Sequence, residues 1–188
     1  MNKKMLLWVG IPIAIILLGV FWYIGTYNSL IRMNEEANNK WAQVETQYQR
    51  RVDLIPNLVN TVKGAANFEQ KTLTDITSAR SQWQAASTTE ERVAAANNVE
   101  SALARLLVVV ENYPQLKATQ NYLALQDELA NTENKVAVER GRFNEAVRNF
   151  NARIKTFPSS IVARNLGYVD KTYFQAREGA ENAPEVKF

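Results

Sequence analysis

The 188-residue chain contains neither cysteine nor histidine. Without cysteine, disulfide bonds and thiolate chemistry are excluded, and without histidine the chain lacks the commonest metal ligand and general base. Glycine and proline are scarce, at 7 and 5 residues, while good helix formers are abundant. We therefore expect an all-α, non-enzymatic protein with no catalytic residues, no metal site and no cofactor.

Length and charge limit the possibilities further. A chain of 188 residues is enough for one domain with a core. Its net charge of +3 comes from a nearly balanced set of 22 basic and 19 acidic residues, which predicts no nucleic-acid footprint. Adjacent acidic residues such as Glu90 and Glu91 point about 100° apart on a helix, so they do not predict a metal site either.

One long apolar run stands near the amino terminus. No residue from Met5 to Ile31 is charged, and "LLWVGIPIAIILLGVFWYI" is almost wholly apolar. About 20 such residues cross the hydrocarbon core of a bilayer as a helix. Aromatic residues, which favour the water interfaces, flank the run: Trp8, Trp22, Tyr23 and Tyr27. The run is long for a signal peptide and no A-x-A-like site follows it. We predict a tail over 1–4 and a transmembrane helix over 5–27.

A helical stripe of apolar residues follows the span. Its members mostly alternate in steps of three and four: Leu30, Ala37, Trp41, Val44, Tyr48, Val52, Ile55, Val59 and Val62. The phase survives Pro56, so we predict a helix that bends there and continues. Asp53 is expected to cap the amides freed at the bend, and Arg50 lies within reach of it as an ion pair.

Three further helices are predicted. One begins at Glu69, after Gly64 and Asn67 weaken the first helix, and has Leu73, Ile76 and Trp83 inward. The capping box of Thr88 and Glu91 starts the next, over roughly 90–112. The last runs over roughly 115–157 and ends before Pro158. Its apolar positions are Tyr122, Leu125, Leu129, Val136, Phe143, Val147, Phe150, Ile154 and Phe157.

These lengths predict a topology of two long and two short helices. An elongated antiparallel four-helix bundle over 28–174 would be complete only in its distal half, leaving a two-helix stalk next to the membrane. Other copies of the chain, or the segment after Pro158, would complete the stalk. The alternative joins the short helices end to end as one arm of a three-helix bundle. A polar tail is expected over 175–188.

Charged residues also interrupt the pattern. Six basic residues near the last helix predict a solvated face or contact with anionic lipid: Arg140, Arg142, Arg148, Arg153, Lys155 and Arg164. Arg140 falls near an inward position of the last helix, and Thr132 occupies another. This indicates a polar layer that fixes register. A second interpretation is a partly buried interaction network around the bend, in which Arg140 or Glu133 meets the first helix. Its candidate members are Arg50, Arg51, Asp53, Pro56, Glu133 and Arg140.

Several motifs resemble the LemA family over nearly the whole chain. They are "YNSLIRMNEEANNKWAQVETQYQRRVDLIPNLVNTVKG", "YPQLKA", "LQDELANTENKVAVERGRFNEAVRNFNARIKTFP" and "GYVDKTYF". Phe143 stands where the family pattern suggests tyrosine, and Tyr168 where phenylalanine is usual. The resemblance implies a bacterial membrane protein with one amino-terminal span, a helical bundle and no established enzymatic activity.

The side of the membrane is predicted in two conflicting ways. Lys3, Lys4 and the terminal amine precede the span, against Arg32 and Lys40 after it, which favours a periplasmic domain anchored in the inner membrane. The family is often drawn with the domain in the cytoplasm. We predict that the domain self-associates as a membrane scaffold. The alternative is a sensor or adaptor that signals through the Pro56 bend to another, unidentified membrane protein.

Overall fold

The computed structural model of the chain describes residues 3–64 and 69–174. Seven helices account for most of them: α1 Lys3–Asp53, α2 Ile55–Lys63, α3 Gln70–Ala85, α4 Thr89–Val110, α5 Pro114–Lys117, α6 Gln120–Lys155 and α7 Ser159–Asn165. The prediction of an all-α chain, with a long apolar helix before a helical bundle, is confirmed. The expected polar tail over 175–188 and Asn67 lie outside the described residues.

The apolar beginning of α1 is exposed. Its most apolar stretch has a mean hydropathy of 2.1, and large side chains from Trp8 to Ile24 lie on the protein surface. The helix continues through Pro12. The helix α4 is also apolar enough to cross a membrane, but nearly half of its apolar stretch is buried within the protein, as expected for a core helix. Exposure therefore distinguishes α1 as the membrane anchor.

The prediction that the first helix continues through Pro56 is wrong, because one residue, Leu54, interrupts the helix. The helix α1 ends at Asp53, Leu54 forms a turn, and Pro56 lies in the first turn of α2. A missing N–H costs little there, because the first amides of a helix have no partner within it. Val52, Ile55 and Val59 nevertheless remain buried on one side, so the apolar stripe passes through the break as predicted.

The short helices α3 and α4 form an antiparallel hairpin. Near their connection, the Asn98 amide donates to the Gln82 side-chain oxygen at 2.8 Å. Farther along, Arg105 lies 3.6 Å from the Asp75 carboxylate. The end-to-end arrangement of these helices, which a three-helix bundle requires, is therefore not adopted.

The capping box that begins α4 is present as predicted. The Thr88 hydroxyl accepts from the Glu91 amide at 3.2 Å, and the Glu91 carboxylate accepts from the Thr88 amide at 3.1 Å. Hydrogen bonds from the Ser87 and Thr88 amides to the charged carboxylate lower the pKa of Glu91. The sequence signal for this boundary therefore has the geometry that the motif implies.

Replacing Thr88 by alanine is expected to lower the free energy of unfolding by about 1 kcal/mol, because one orphan amide of α4 loses its acceptor. Urea denaturation of the full chain in detergent measures the change. The matched control is Thr89→Ala, which removes a threonine next to the cap but leaves the box intact. Equal losses in the two variants would contradict a capping role for Thr88.

The last long helix is also interrupted, contrary to the prediction of one helix over 115–157. The helix α5 ends at Lys117, and α6 begins at Gln120. Thr119 lies between them, and its hydroxyl accepts from the Tyr122 amide of α6 at 3.3 Å. At the other end α6 stops at Lys155, and Phe157 is 78% exposed. The prediction that Phe157 belongs to the core stripe is wrong, because the backbone has left the helix before that residue.

The chain divides into two compact units. The first combines the chain up to Trp41 with Arg142–Tyr173, and the second combines Ala42–Gly141 with the chain from Phe174. In the first unit, residues of α1, α6 and α7 form one apolar cluster: Leu30, Phe150, Ile154, Val162 and Ala163. The sequence predicts that the apolar surface of the membrane-proximal helix pair is covered either by other copies of the chain or by the segment after Pro158. In the structure the segment after Pro158 packs on that surface.

Two local features position that segment within the first unit. The helix α7 ends at Asn165 and is followed by a Schellman motif, in which the Tyr168 amide donates to the Ala163 carbonyl and Gly167 has a φ of +69° that suits glycine. The chain beyond is held by Asn151, which is buried and exchanges two hydrogen bonds of 2.9 Å with the backbone of Lys171. The Asn151 side-chain amide thus satisfies both the backbone carbonyl and the backbone amide of Lys171 and holds this segment against α6.

Candidate functional site

A buried polar cluster lies within the second unit, centred on the Glu100 carboxylate of α4. One oxygen of this carboxylate accepts a hydrogen bond from the Tyr48 hydroxyl of α1. The same oxygen lies 2.9 Å from an Arg140 guanidinium nitrogen of α6. The side chains of Arg140 and Glu100 are only 18% and 14% exposed. Three helices therefore meet at one carboxylate.

Aromatic rings surround this carboxylate. The Tyr48 ring packs 5.2 Å from the Trp83 ring of α3 and stacks on Phe174 at 5.8 Å, with 4° between the planes of Tyr48 and Phe174. The Arg140 guanidinium lies over the Phe174 ring, 4.4 Å from its centroid. A cation over an aromatic face is favourable, and more so where water is excluded. We call Tyr48, Glu100, Arg140 and Phe174 the carboxylate cluster.

The electrostatics of the carboxylate cluster keep its tyrosine protonated. Burial raises the pKa of Tyr48 far above its ordinary value, and the charge of Glu100 and the hydrogen bond to it raise the pKa further. Tyr48 is thus a hydrogen-bond donor at any physiological pH. Its chemical role in this arrangement is to satisfy Glu100, together with the Arg140 cation.

Two more ion pairs join α1 to α6 in the second unit. Arg51, whose side chain is 8% exposed, makes a close pair with Glu133. Arg50 pairs with Glu128 at 2.5 Å. Both arginines occupy the last turn of α1, where basic side chains also complement the helix dipole. The predicted meeting of Glu133 with the first helix is present.

Other members of the predicted network lie elsewhere. Asp53 accepts a 2.8 Å hydrogen bond from the Gln49 side chain, so neither its expected ion pair with Arg50 nor a capping role is observed. Leu54 takes the N-cap position of α2, with no capping bond from a side chain. Pro56 marks the break but belongs to no polar contact of the cluster. Arg140 is connected to the first helix through Glu100, whose carboxylate also accepts from Tyr48.

Sequence reasoning missed Glu100 and the hydroxyl role of Tyr48, although a signal was present. Glu100 follows Ala96 by four residues and precedes Leu103 by three, and both of these are buried on the inner side of α4. An acidic residue in phase with an apolar stripe indicates a buried partner. The predicted polar position at Thr132 is confirmed, since its buried hydroxyl donates to the Leu129 carbonyl at 2.9 Å.

Comparison with known proteins is informative once this geometry is established. The family described as the LemA family matches residues 40–188, which include the whole carboxylate cluster. The chain belongs to the LemA family. Protein LemA of Metamycoplasma hominis is 29% identical over 167 residues, covering 87% of this chain and 76% of that protein. This LemA-family chain is therefore a membrane-anchored helical protein.

Two further relatives of this LemA-family chain carry another name. Magnetosome protein MamQ 2 of Paramagnetospirillum magneticum is 25% identical, covering 89% of this chain and 73% of that protein. Magnetosome protein MamQ of Magnetospirillum gryphiswaldense is 24% identical, covering 92% of this chain and 75% of that protein. Both alignments cover most of each chain, so the similarity is not confined to one motif.

The two departures from the expected family pattern both lie in the first unit. Phe143 packs against Trp41 with ring centroids 5.3 Å apart. Tyr168 meets Phe150 edge-on at 5.2 Å. Each exchange between phenylalanine and tyrosine keeps the ring and changes one hydroxyl, so the ring packing of this LemA-family chain does not depend on it.

Proposed function

We propose that the chain is a non-enzymatic, single-pass protein of the bacterial inner membrane that self-associates as a membrane scaffold. The pairing of Glu100 with Arg140 and Tyr48 supports the non-enzymatic part of the proposal, and the exposed apolar side chains of α1 support the membrane part. The chain has neither histidine nor cysteine, which removes the commonest general base and the thiolate nucleophile. Glu100 and Arg140 instead hold helices together, as does the more buried Arg51 in its pair with Glu133.

Self-association is proposed for the anchor and not for the membrane-proximal stripe. The stripe around Leu30 is covered by α7 of the same chain, so it offers no apolar surface to another copy. The side chains of α1 from Trp8 to Ile24 are exposed, and in a bilayer they contact either lipid or another span. The charge count around the span supports a periplasmic bundle.

The mass of the full-length protein in mild detergent tests the scaffold. We expect a protein mass that is a multiple of 21.3 kDa, measured by light scattering with the detergent contribution subtracted. A strict monomer over a range of protein concentrations would contradict self-association, while leaving the anchor in place.

A sensor or adaptor function is the second candidate, favoured by one observation. The break between α1 and α2 lies at Leu54, three residues after Arg51, and Arg50 and Arg51 make two ion pairs with α6. Such a break is a position where a helix can change direction. A photo-cross-linker at exposed Asn57 would then capture a different membrane protein in cells, whereas capture of a second copy of this chain would favour the scaffold.

A further inference from the structure

The corner between α6 and α7, in the first unit, presents apolar side chains to the outside. Phe157 is 78% exposed and Ile161 is 53% exposed. Between them the backbone is tightly bonded: the Ser159 hydroxyl lies 2.7 Å from the Arg153 carbonyl, and the Ser160 amide donates to the Thr156 carbonyl at 2.8 Å. Val162, next to Ile161, is fully buried. The fold therefore holds Phe157 and Ile161 outward.

The packing of α6 on α1 indicates where this corner lies along α1. Trp41 contacts Phe143, and Leu30 shares a cluster with Ile154. These contacts show that α6 runs antiparallel to α1, because later residues of α6 pack with earlier residues of α1. Phe157 lies two residues beyond the end of α6 at Lys155, so the corner lies past the Leu30 cluster in the direction of Tyr27.

Two observations support that position. Thr26 is only 3% exposed, although its neighbours Gly25 and Tyr27 are exposed, so the protein covers α1 as far as the last turn of the predicted span. In addition, Tyr168, just after α7, packs against the apolar cluster that contains Leu30, which lies three residues from Tyr27 along α1. The corner thus lies beside the carboxyl end of the span.

That end of the span is rich in aromatic residues. Trp22, Tyr23 and Tyr27 are all exposed on α1. The interfacial layer outside the hydrocarbon core is about 5 to 7 Å thick on each side, equivalent to about four residues of helix. A corner beside the carboxyl end of the span places the outward Phe157 near that layer, where aromatic rings are favoured.

We propose that the α6–α7 corner is a second membrane contact, in which Phe157 and Ile161 enter the interfacial layer of the bilayer that α1 crosses. This inference rests on the membrane anchor of the proposed function and not on self-association. The contact tethers the bundle to the bilayer at two points of its chain. It also accounts for two large apolar side chains that the fold leaves outside its core.

Single labelled cysteines test the contact, because the natural chain has no cysteine. Full-length Phe157→Cys and Ile161→Cys variants carry an environment-sensitive fluorophore and are reconstituted in phosphatidylcholine vesicles. The matched control is Glu145→Cys, which lies twelve residues before Phe157 on the α6 side of the corner, about 18 Å away at helical rise. Tyr27→Cys reports on the anchor. Both positions of the corner are exposed, and circular dichroism checks the helix content of each variant.

We expect lipid-borne quenchers to reduce the emission at positions 157, 161 and 27 at least threefold more than at 145. Iodide in the water should quench position 145 most strongly. Corner labels that iodide quenches as strongly as position 145, together with a lipid-quenched Tyr27 label, would overturn the second contact and leave the anchor intact. A water-exposed Tyr27 label would overturn both the anchor and the contact.

Discussion

Replacing Glu100 by alanine is expected to lower the free energy of unfolding by about 3 kcal/mol, one of the two largest effects that the structure predicts. The substitution leaves the Arg140 cation and the Tyr48 hydroxyl largely buried with their shared acceptor removed. The loss of partners for groups that are already desolvated is what makes the effect large. Urea denaturation of the full chain in detergent, followed by near-ultraviolet circular dichroism, measures it.

The ion pair between Asp75 and Arg105 provides the control. It joins α3 to α4 in the same unit, but the side chain of Arg105 is 67% exposed. Exposed pairs contribute little, so Asp75→Ala should change the free energy of unfolding by less than about 0.5 kcal/mol. Similar losses for Glu100→Ala and Asp75→Ala would mean that burial of the carboxylate cluster has no energetic consequence.

Replacing Trp83 by alanine is expected to cost about 3 to 5 kcal/mol. Trp83 is 1% exposed, packs against the Tyr48 ring, and donates from its indole nitrogen to the Gln49 side chain at 3.2 Å. Alanine would leave a cavity beside Tyr48 and remove one wall of the carboxylate cluster. The same denaturation experiment measures the loss.

Trp83→Phe separates the two contributions of this side chain. Phenylalanine keeps an aromatic ring against Tyr48 but lacks the indole N–H, so a loss smaller than that of alanine is expected. If Trp83→Ala unfolded within about 1 kcal/mol of the parent, Trp83 would not be part of a close-packed core.

The helices could be predicted because their apolar residues recur with helical spacing. Every residue predicted for the inner stripe of the first helix, from Leu30 to Val62, is buried. The start of α4 could be predicted because Thr88 and Glu91 form a local motif whose geometry depends on four residues only. Signals of this kind need no knowledge of the partner helix.

Features that depend on other parts of the chain were predicted less well. Phe157 is in phase with Phe150, yet periodicity cannot show that α6 ends at Lys155 and turns into α7. Pro56 indicates that the helix is disturbed near this position. It does not show whether Asp53 caps the next helix, and in the structure the Asp53 carboxylate accepts from the Gln49 side chain instead. The partner of Arg140 comes from α4, forty residues earlier, and only tertiary packing brings Glu100 to it.

A double-mutant cycle on Glu100 and Arg140 tests most directly whether the buried charges of this chain hold the helices together. Glu100→Ala, Arg140→Met and the double variant are compared with the parent by urea denaturation of the full chain. We predict a coupling of about 1.5 to 3 kcal/mol, because the two side chains share one hydrogen bond in a largely buried position. Additive losses, or an Arg140→Met variant that is as stable as the parent and assembles unchanged, would contradict the account.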